Sequence, residues 1–270
     1  MDLLPVHHFC ATNGRRPVLR FSIMSIVLCL FIISACASDK AARNEKAEMQ
    51  INIGAGYIEA GDNSGALKEL LSAEKIAPTN PRVHYFLAIA YQGKGYQDKA
   101  IEECKKAIEL KSDYSEAYNL LGTIYINKGN NELAIESFNK ALGNIMYDTP
   151  AIALYNLGRA YYNLGDYAKS VSKYQEAIGK DIRRELLPLI ENGLGKVGYA
   201  QGDYARAKAH FIKSTELAPT YVESQFLLAE CYVKLGSIKE AKKSFETVVR
   251  LAPTTDLGHA ARENINKLRK

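Results

Sequence analysis

Apolar residues recur along this chain at helical spacing, in pairs of short amphipathic segments that a glycine separates. The stretch 115–148 is a clear example. Offsets of three and four residues place one set of small or apolar positions on a single face of each segment: Tyr118, Leu121, Gly122 and Tyr125, then Ala134, Phe138 and Ala141. A helix this short cannot bury such a face alone. The pattern therefore predicts two helices that pack against further copies of the same unit.

The chain contains six copies of this unit, each 34 residues long. They occupy 47–80, 81–114, 115–148, 151–184, 188–221 and 222–255. The glycine between the two helices is present in every copy: Gly61, Gly95, Gly129, Gly165, Gly202 and Gly236. A small residue marks the expected helix crossing: Gly54, Ala88, Gly122, Gly158, Gly195 and Ala229. This period and these positions indicate tetratricopeptide repeats. The predicted fold is all-α, a right-handed α-solenoid of six repeats.

Three further segments complete the predicted solenoid. Thr149 and Pro150 are inserted after the third copy, and residues 185–187 are inserted before the fifth. Such insertions are expected to change the local pitch. The tail 256–270 places apolar residues on one face and polar residues on the other, which predicts a capping helix.

The first 36 residues have the pattern of an export signal. Three arginines between residues 15 and 20 precede an apolar run at 21–33, which is too short for a spanning helix of about 20 residues. The run ends in isoleucine, serine, alanine and cysteine at 33–36, which resembles the lipobox of bacterial lipoproteins. The resemblance implies a signal peptide at 1–35, cleavage before Cys36, and acylation of Cys36. Residues 36–46 are then the acylated cysteine and a linker. The alternative is an ordinary signal peptide with an incidental cysteine.

The residue after the cysteine bears on the destination. Ala37 follows Cys36, where an aspartate would resemble an inner-membrane retention signal. The resemblance therefore implies a lipid anchor in the outer membrane, on its periplasmic face.

Candidate chemistry is sparse. Of five histidines, only His84, His210 and His259 lie beyond the leader, and they fall in separate repeats or in the cap. Phosphate-binding loops, a nucleophile elbow and a catalytic-cysteine signature are absent from the sequence. We therefore expect no enzyme, cofactor or metal site. Cys104 and Cys231 are expected to be buried and unpaired. A formal net charge of +5 is too mild to indicate nucleic-acid binding.

The remaining candidates form a surface. The second, fifth, ninth and twelfth positions of each first helix, or positions beside them, point away from the packing face and are expected to line the concave side. In the first two copies they are mostly apolar: Ile51, Ala55, Ile58, Tyr85 and Ile89. In copies three to five they are mostly polar and aromatic: Asn119, Thr123, Asn127, Tyr155, Arg159, Tyr162, Asn163, Asn192, Lys196 and Tyr199.

These residue types suit a peptide ligand. Asparagine amides can hydrogen-bond an extended backbone, and tyrosine supplies contact area at low entropic cost. The sequence therefore predicts a groove that binds a protein or peptide segment. The alternative is that several of these side chains only cover neighbouring helices or face solvent.

Three features together resemble the type IV pilus biogenesis and stability lipoproteins, the pilotins of the pilus secretin. They are the lipobox, the six consecutive repeats, and the joint at 141–158 with its sequence Met146-Tyr147-Asp148-Thr149-Pro150. Asp148 stands where the family often has proline. The resemblance implies that the protein escorts secretin subunits to the outer membrane and promotes their assembly. We expect the apolar first-copy groove, nearest the anchor, to be the docking site. The alternative is a general periplasmic adaptor lipoprotein for cell-wall, polysaccharide-export or outer-membrane assembly machinery.

Overall fold

The computed structural model describes residues 42–268. These residues form thirteen helices and contain no strand. The helix bounds are α1 42–59, α2 Asn63–Ile76, α3 Pro81–Gly93, α4 Gln97–Leu110, α5 Ser115–Asn127, α6 Asn131–Leu142, α7 Pro150–Asn163, α8 Tyr167–Lys180, α9 Leu187–Ala200, α10 Tyr204–Leu217, α11 Val222–Lys234, α12 Ile238–Leu251 and α13 Asp256–Lys267.

The helices form two layers. Each odd-numbered helix from α3 to α11 packs against the even-numbered helix that follows it, and it also contacts the next odd-numbered helix. Consecutive even-numbered helices make no comparable contact within the described residues. The odd-numbered layer is therefore on the concave side. α13 contacts both α11 and α12 and takes the place of the first helix of a further repeat. The predicted tetratricopeptide-repeat solenoid with a capping helix is confirmed.

Glycine closes the turn inside every repeat. The six predicted turn glycines all have positive φ, between +73° and +79°. In the third repeat, Gly129 N donates to Ile126 O at 2.9 Å and Asn130 N donates to Tyr125 O at 2.9 Å. This is the Schellman arrangement, which needs one residue in the left-handed conformation. Glycine adopts this conformation without a Cβ penalty.

The helices of a repeat cross at the predicted small residue. A Cβ atom built on Gly122 would lie 2.6 Å from the ring of Phe138, and one on Gly158 would lie 2.7 Å from the ring of Tyr174. The second repeat has the larger Ala88 at this position, and it packs in one cluster with the smaller Cys104. In these three repeats the sizes of the two crossing residues are therefore complementary.

The described boundaries differ from the sequence-based ones at three places. α7 begins at Pro150, within the predicted insertion after the third copy. Residues 42–46, which the sequence assigns to a linker, are already helical. α9 begins at Leu187, within the predicted insertion and one residue before Pro188. Cys104 and Cys231 are buried and free, as predicted. The signal peptide and Cys36 lie outside the described residues. Among the described helices, none has the length and apolarity to cross a membrane.

Candidate functional site: a cleft on the concave face

A cleft of about 370 Å³ opens on the concave side between α7, α9 and α11. Its lining consists of Tyr155, Arg159, Tyr162, Asn163, Tyr174, Asn192, Gly193, Lys196, Tyr221 and Glu223. Six of the fifteen predicted groove residues meet here: Tyr155, Arg159, Tyr162, Asn163, Asn192 and Lys196. The structure therefore concentrates the polar part of the predicted groove in repeats four to six.

Arg159 is the central cation of the cleft. Its guanidinium lies 5.9 Å from the centre of the Tyr155 ring, and its Nη1 donates to Asn156 Oδ1 at 3.2 Å. Among the described residues no carboxylate lies within ion-pair distance of Arg159. Most of its five N–H donors are thus free to bind an acceptor that enters the cleft.

Glu223 is the anion of the cleft, and both of its carboxylate oxygens accept hydrogen bonds. Oε1 accepts from Lys196 Nζ at 3.0 Å, and Oε2 accepts from Tyr221 Oη at 2.8 Å and from Asn192 Nδ2 at 3.0 Å. Burial alone would raise the pKa of Glu223. The charge of Lys196 and these hydrogen bonds outweigh burial and hold the pKa below its ordinary value. Burial and the Glu223 charge raise the pKa of Tyr221, so its hydroxyl remains a donor.

Asn192 forms the floor of the cleft. It is only 3% exposed, and its Nδ2 also donates to Tyr221 Oη at 3.1 Å. Its Oδ1 accepts from Ser224 Oγ at 2.9 Å. Because these bonds use both the donor and the acceptor of the amide, Asn192 holds α9 against α11 rather than offering its amide to a ligand.

Tyr174 reaches the cleft through a gap that a glycine leaves. It is 2% exposed and packs behind Gly158, with its ring centre 5.9 Å from that of Tyr155. A Cβ atom on Gly193 would lie 2.7 Å from the Tyr174 hydroxyl oxygen. Sequence reasoning did not include Tyr174, because it occupies the aromatic core position of its repeat. Glu223 was also missed, although it stands at the second position of the sixth copy, where the same positional rule would have found it.

Ile51 does not line a groove, which corrects the sequence-based assignment. It is fully buried and packs in one cluster with Leu70, Val83 and Leu87. The fifth position of a first helix points into the seam with the next first helix, so an apolar side chain there joins the core. Tyr85 at the same position is partly buried, and its ring centre lies 5.2 Å from that of Tyr114.

The other predicted groove residues also lie outside the cleft. Thr123 Oγ1 donates to Asn119 O at 3.0 Å, and Asn119 Oδ1 accepts from Asn156 Nδ2 at 3.4 Å. Tyr199 packs edge-on against Tyr204 at 5.2 Å. Ala55, Ile58 and Ile89 are partly buried, and Asn127 is exposed. Asn119, Thr123 and Tyr199 therefore contact their own or a neighbouring helix.

One group of potential metal ligands is present among the described residues. Ligand atoms of Glu74, His84 and Glu103 lie within 4.8 Å of one another. Both ring nitrogens of His84 already have partners, because Nδ1 is 2.7 Å from Glu103 Oε2 and Nε2 is 2.8 Å from Pro78 O. His84 and Glu103 of this group form a hydrogen-bonded ion pair.

Family comparison agrees with the fold. Models of the tetratricopeptide repeat match residues 81–114, 115–144, 151–181 and 199–265, more than half of the chain. The chain therefore belongs to the tetratricopeptide-repeat proteins. This module binds protein and peptide partners, and the matched models describe no catalytic domain.

Curated relatives share the repeats over part of their length. Tetratricopeptide repeat protein 37 of Xenopus laevis is 26% identical over 192 residues, which cover 70% of this chain and 12% of the relative. Human DnaJ homolog subfamily C member 3 is 24% identical over 209 residues, which cover 77% of this chain and 36% of the relative. The chain thus spans only a minor part of these relatives.

Solved structures resemble the chain over nearly their whole length. Pseudomonas aeruginosa PilF superposes with a TM-score of 0.69 at 19% identity, covering 83% of this chain and 99% of PilF. PilW, a type IV pilus biogenesis factor, superposes with a TM-score of 0.72 at 20% identity, covering 79% of this chain and 97% of PilW. At this identity the likeness shows a shared fold.

Proposed function

We propose that the chain is a periplasmic scaffold protein that binds a segment of a partner protein in the concave cleft. The observation that carries this proposal is the geometry around Arg159. This cation has no carboxylate partner among the described residues and lies over the Tyr155 ring, in a cleft that Tyr162 also lines. An aromatic and cationic cleft of this kind suits an extended segment that carries a carboxylate or backbone carbonyls.

The partner in this proposal is a subunit of the type IV pilus secretin, and the protein acts as its pilotin. The lipobox at residues 33–36 supports this assignment, as does the fold shared with PilF and PilW over about four fifths of this chain and nearly all of theirs. Acyl chains on Cys36 would hold the protein at the outer membrane, since each buried CH₂ contributes about 0.8 kcal/mol. The solenoid would then order the partner segment without a covalent step.

Replacing the lipidated cysteine tests the location and the partner together. Cys36→Ala is expected to move the protein into the soluble periplasmic fraction and to leave the secretin monomeric or in the wrong membrane. The measurements are membrane fractionation and the amount of heat-resistant secretin multimer. Unchanged multimers in cells whose Cys36→Ala protein is soluble would refute the pilotin role.

The alternative is a general adaptor lipoprotein for cell-wall, polysaccharide-export or outer-membrane assembly machinery. Affinity capture from membranes, with the anchor intact, separates the two functions. Recovery of the secretin with the wild-type protein, and its loss with Arg159→Ala, supports the pilotin. Recovery of hydrolases or export proteins without the secretin supports the adaptor.

A further inference from the structure

The two irregular joints of the solenoid lie side by side at one edge. We call the loop 143–149 between α6 and α7 the first joint, and the loop 181–186 between α8 and α9 the second joint. A cleft of about 340 Å³ lies between them, with Pro150 and Ile152 on one side and Ile182 and Leu186 on the other. Both joints run from a second helix to the next first helix. They therefore lie at the edge opposite to the glycine turns.

Each joint presents aliphatic side chains to solvent. Ile145 is 96% exposed and Met146 is 78% exposed in the first joint, and Ile182 is 95% exposed in the second. Side chains this exposed have almost no neighbouring atoms. Neighbouring exposed apolar side chains on a folded protein commonly mark a contact with another molecule or with a membrane.

The first joint is held in place. Tyr147, next to the exposed pair, is 7% exposed and packs into the core cluster of repeats three and four. Asn144 Nδ2 donates to Asp113 O at 3.0 Å, and Asn144 Oδ1 accepts from Met146 N at 2.9 Å. These contacts fix a loop whose tip carries Ile145 and Met146.

The second joint is also fixed, and together with Lys180 it carries three basic and two acidic side chains, of which Asp181 is turned to its own backbone. The Asp181 carboxylate accepts from the backbone N of Glu185 at 3.2 Å and of Leu186 at 2.9 Å. Arg184 adopts a φ of +57°, which a non-glycine residue holds only where the surroundings impose it. Lys180, Arg183 and Arg184 flank Ile182. Only Arg183 has a carboxylate nearby among the described residues, Glu185 at 3.8 Å.

We propose that this edge docks on a lipid bilayer that contains anionic headgroups. Ile145, Met146 and Ile182 enter the headgroup region, and the basic residues of the second joint contact lipid phosphates. Protruding aliphatic tips beside basic side chains fit a soft, negatively charged surface. A protein partner would be better matched by a continuous apolar groove, whereas the space between the joints is also lined by charged side chains such as Lys180, Asp181 and Glu185.

This surface is separate from the concave cleft, so both can be occupied at once. Docking through one edge would set the orientation of the solenoid on the membrane. The concave face would then open parallel to the bilayer rather than towards it. The inference does not depend on acylation of Cys36 or on the identity of the partner.

The chain contains no tryptophan, so a single introduced tryptophan reports its own surroundings. The test uses the full chain with Ile145→Trp or Ile182→Trp. The matched control is Leu164→Trp, because Leu164 is 43% exposed beside a glycine turn at the opposite edge. The three proteins are mixed with vesicles of phosphatidylethanolamine and phosphatidylglycerol whose acyl chains are brominated. Residues 1–36 are the same in all three variants. Differences in tryptophan fluorescence between the variants therefore report which edge of the solenoid contacts the vesicle.

The expected result is a blue shift and bromine quenching of the tryptophans at positions 145 and 182, with neither effect at position 164. Adding Arg183→Gln and Arg184→Gln to Ile182→Trp, or using phosphatidylcholine vesicles, is expected to reduce the quenching. The proposal is overturned if the tryptophan at position 182 is quenched no more than the one at 164. It is also overturned if quenching at 182 is independent of both arginines and of lipid charge. Thermal melting by circular dichroism checks that all variants are folded.

Discussion

His84 and Glu103 form a buried ion pair in the second repeat, and the fifth repeat contains the same pair with the residue types exchanged. His84 Nδ1 lies 2.7 Å from Glu103 Oε2, and the two residues are 19 positions apart. Glu191 Oε2 lies 2.8 Å from His210 Nδ1, and these two residues are also 19 positions apart. Both pairs join the fourth position of the repeat to the twenty-third, so one helix junction accepts the two residue types in either order.

A lysine completes both junctions. Lys106 stands at the twenty-sixth position of its repeat and binds Glu103 at 2.9 Å, and Lys213 stands at the same position of the fifth repeat and binds Glu191. The lysine can therefore reach the glutamate on either helix. This explains how the exchange keeps each buried carboxylate paired with one histidine and one lysine.

Exchanging the pair in the second repeat should reproduce the junction of the fifth. His84→Glu or Glu103→His alone places like charges together, and each is expected to lower the free energy of unfolding by about 3–5 kcal/mol. The double variant His84→Glu, Glu103→His is expected to recover most of that loss. Urea unfolding of the four proteins measures the coupling. Additive losses in the double variant would contradict an interchangeable junction.

The same pair predicts a pH dependence of stability. The hydrogen bond to Glu103 is the main cause that raises the pKa of His84 above its ordinary value of 6.5. The protonated ring is thus favoured by folding, and this stabilisation is complete below pH 6.5 and declines as the pH rises through the folded pKa. The pKa of Glu103 is lowered, because hydrogen bonds from His84 and Lys106 outweigh its burial. Glu103 therefore stays charged over this range.

We therefore expect the melting temperature to fall above pH 6.5 in the wild type and to fall less in His84→Gln. The comparison between the two proteins isolates the contribution of this ring. His259→Gln, at an exposed histidine of the cap, is the matched control and should retain the wild-type slope. Parallel curves for the wild type and His84→Gln would show that the ring does not change its protonation on folding.

A larger residue at a helix crossing should separate the two helices of a repeat. A Cβ atom at Gly122 would lie 2.6 Å from the Phe138 ring, so Gly122→Leu is expected to lower the free energy of unfolding by about 1–3 kcal/mol. Gly56→Leu is the control, because a Cβ atom at Gly56 meets no atom within 4 Å. That change should be neutral or stabilising by up to about 1 kcal/mol. Equal melting temperatures for Gly122→Leu and the wild type would contradict the register of the repeats.

The sequence predicts the solenoid well because its core positions repeat. The turn glycines have one backbone conformation in six places, and the crossing residue at 122 is read from spacing alone. The cleft is harder to predict, because it depends on contacts between repeats. Periodicity places Ile51 and Asn192 at the same repeat position. Only packing shows that the first joins the core and the second bonds to Glu223.

The joints show the same limit. The insertions are visible in the sequence as breaks in the period of 34 residues. The sequence does not show which of their side chains are exposed. Ile145 and Tyr147 are two residues apart in an irregular loop, and the sequence does not say which is exposed. The structure shows that Tyr147 is buried in the core and that Ile145 is exposed to solvent. A loop without a period offers no rule that assigns its faces.

The last prediction separates two cleft residues by what each one does. Arg159→Ala removes a partly exposed cation with one hydrogen bond, so the free energy of unfolding should change by no more than about 0.5 kcal/mol. Asn192→Ala removes one hydrogen bond each from the buried or partly buried Ser224, Tyr221 and Glu223, and should cost about 1–3 kcal/mol. Under the proposed pilotin role, retention of the secretin on immobilised protein should fall with Arg159→Ala. Arg206→Ala, at an exposed arginine on the outer helix α10, should bind like the wild type. If Arg159→Ala and Arg206→Ala retain the secretin equally, the partner does not use the concave cleft.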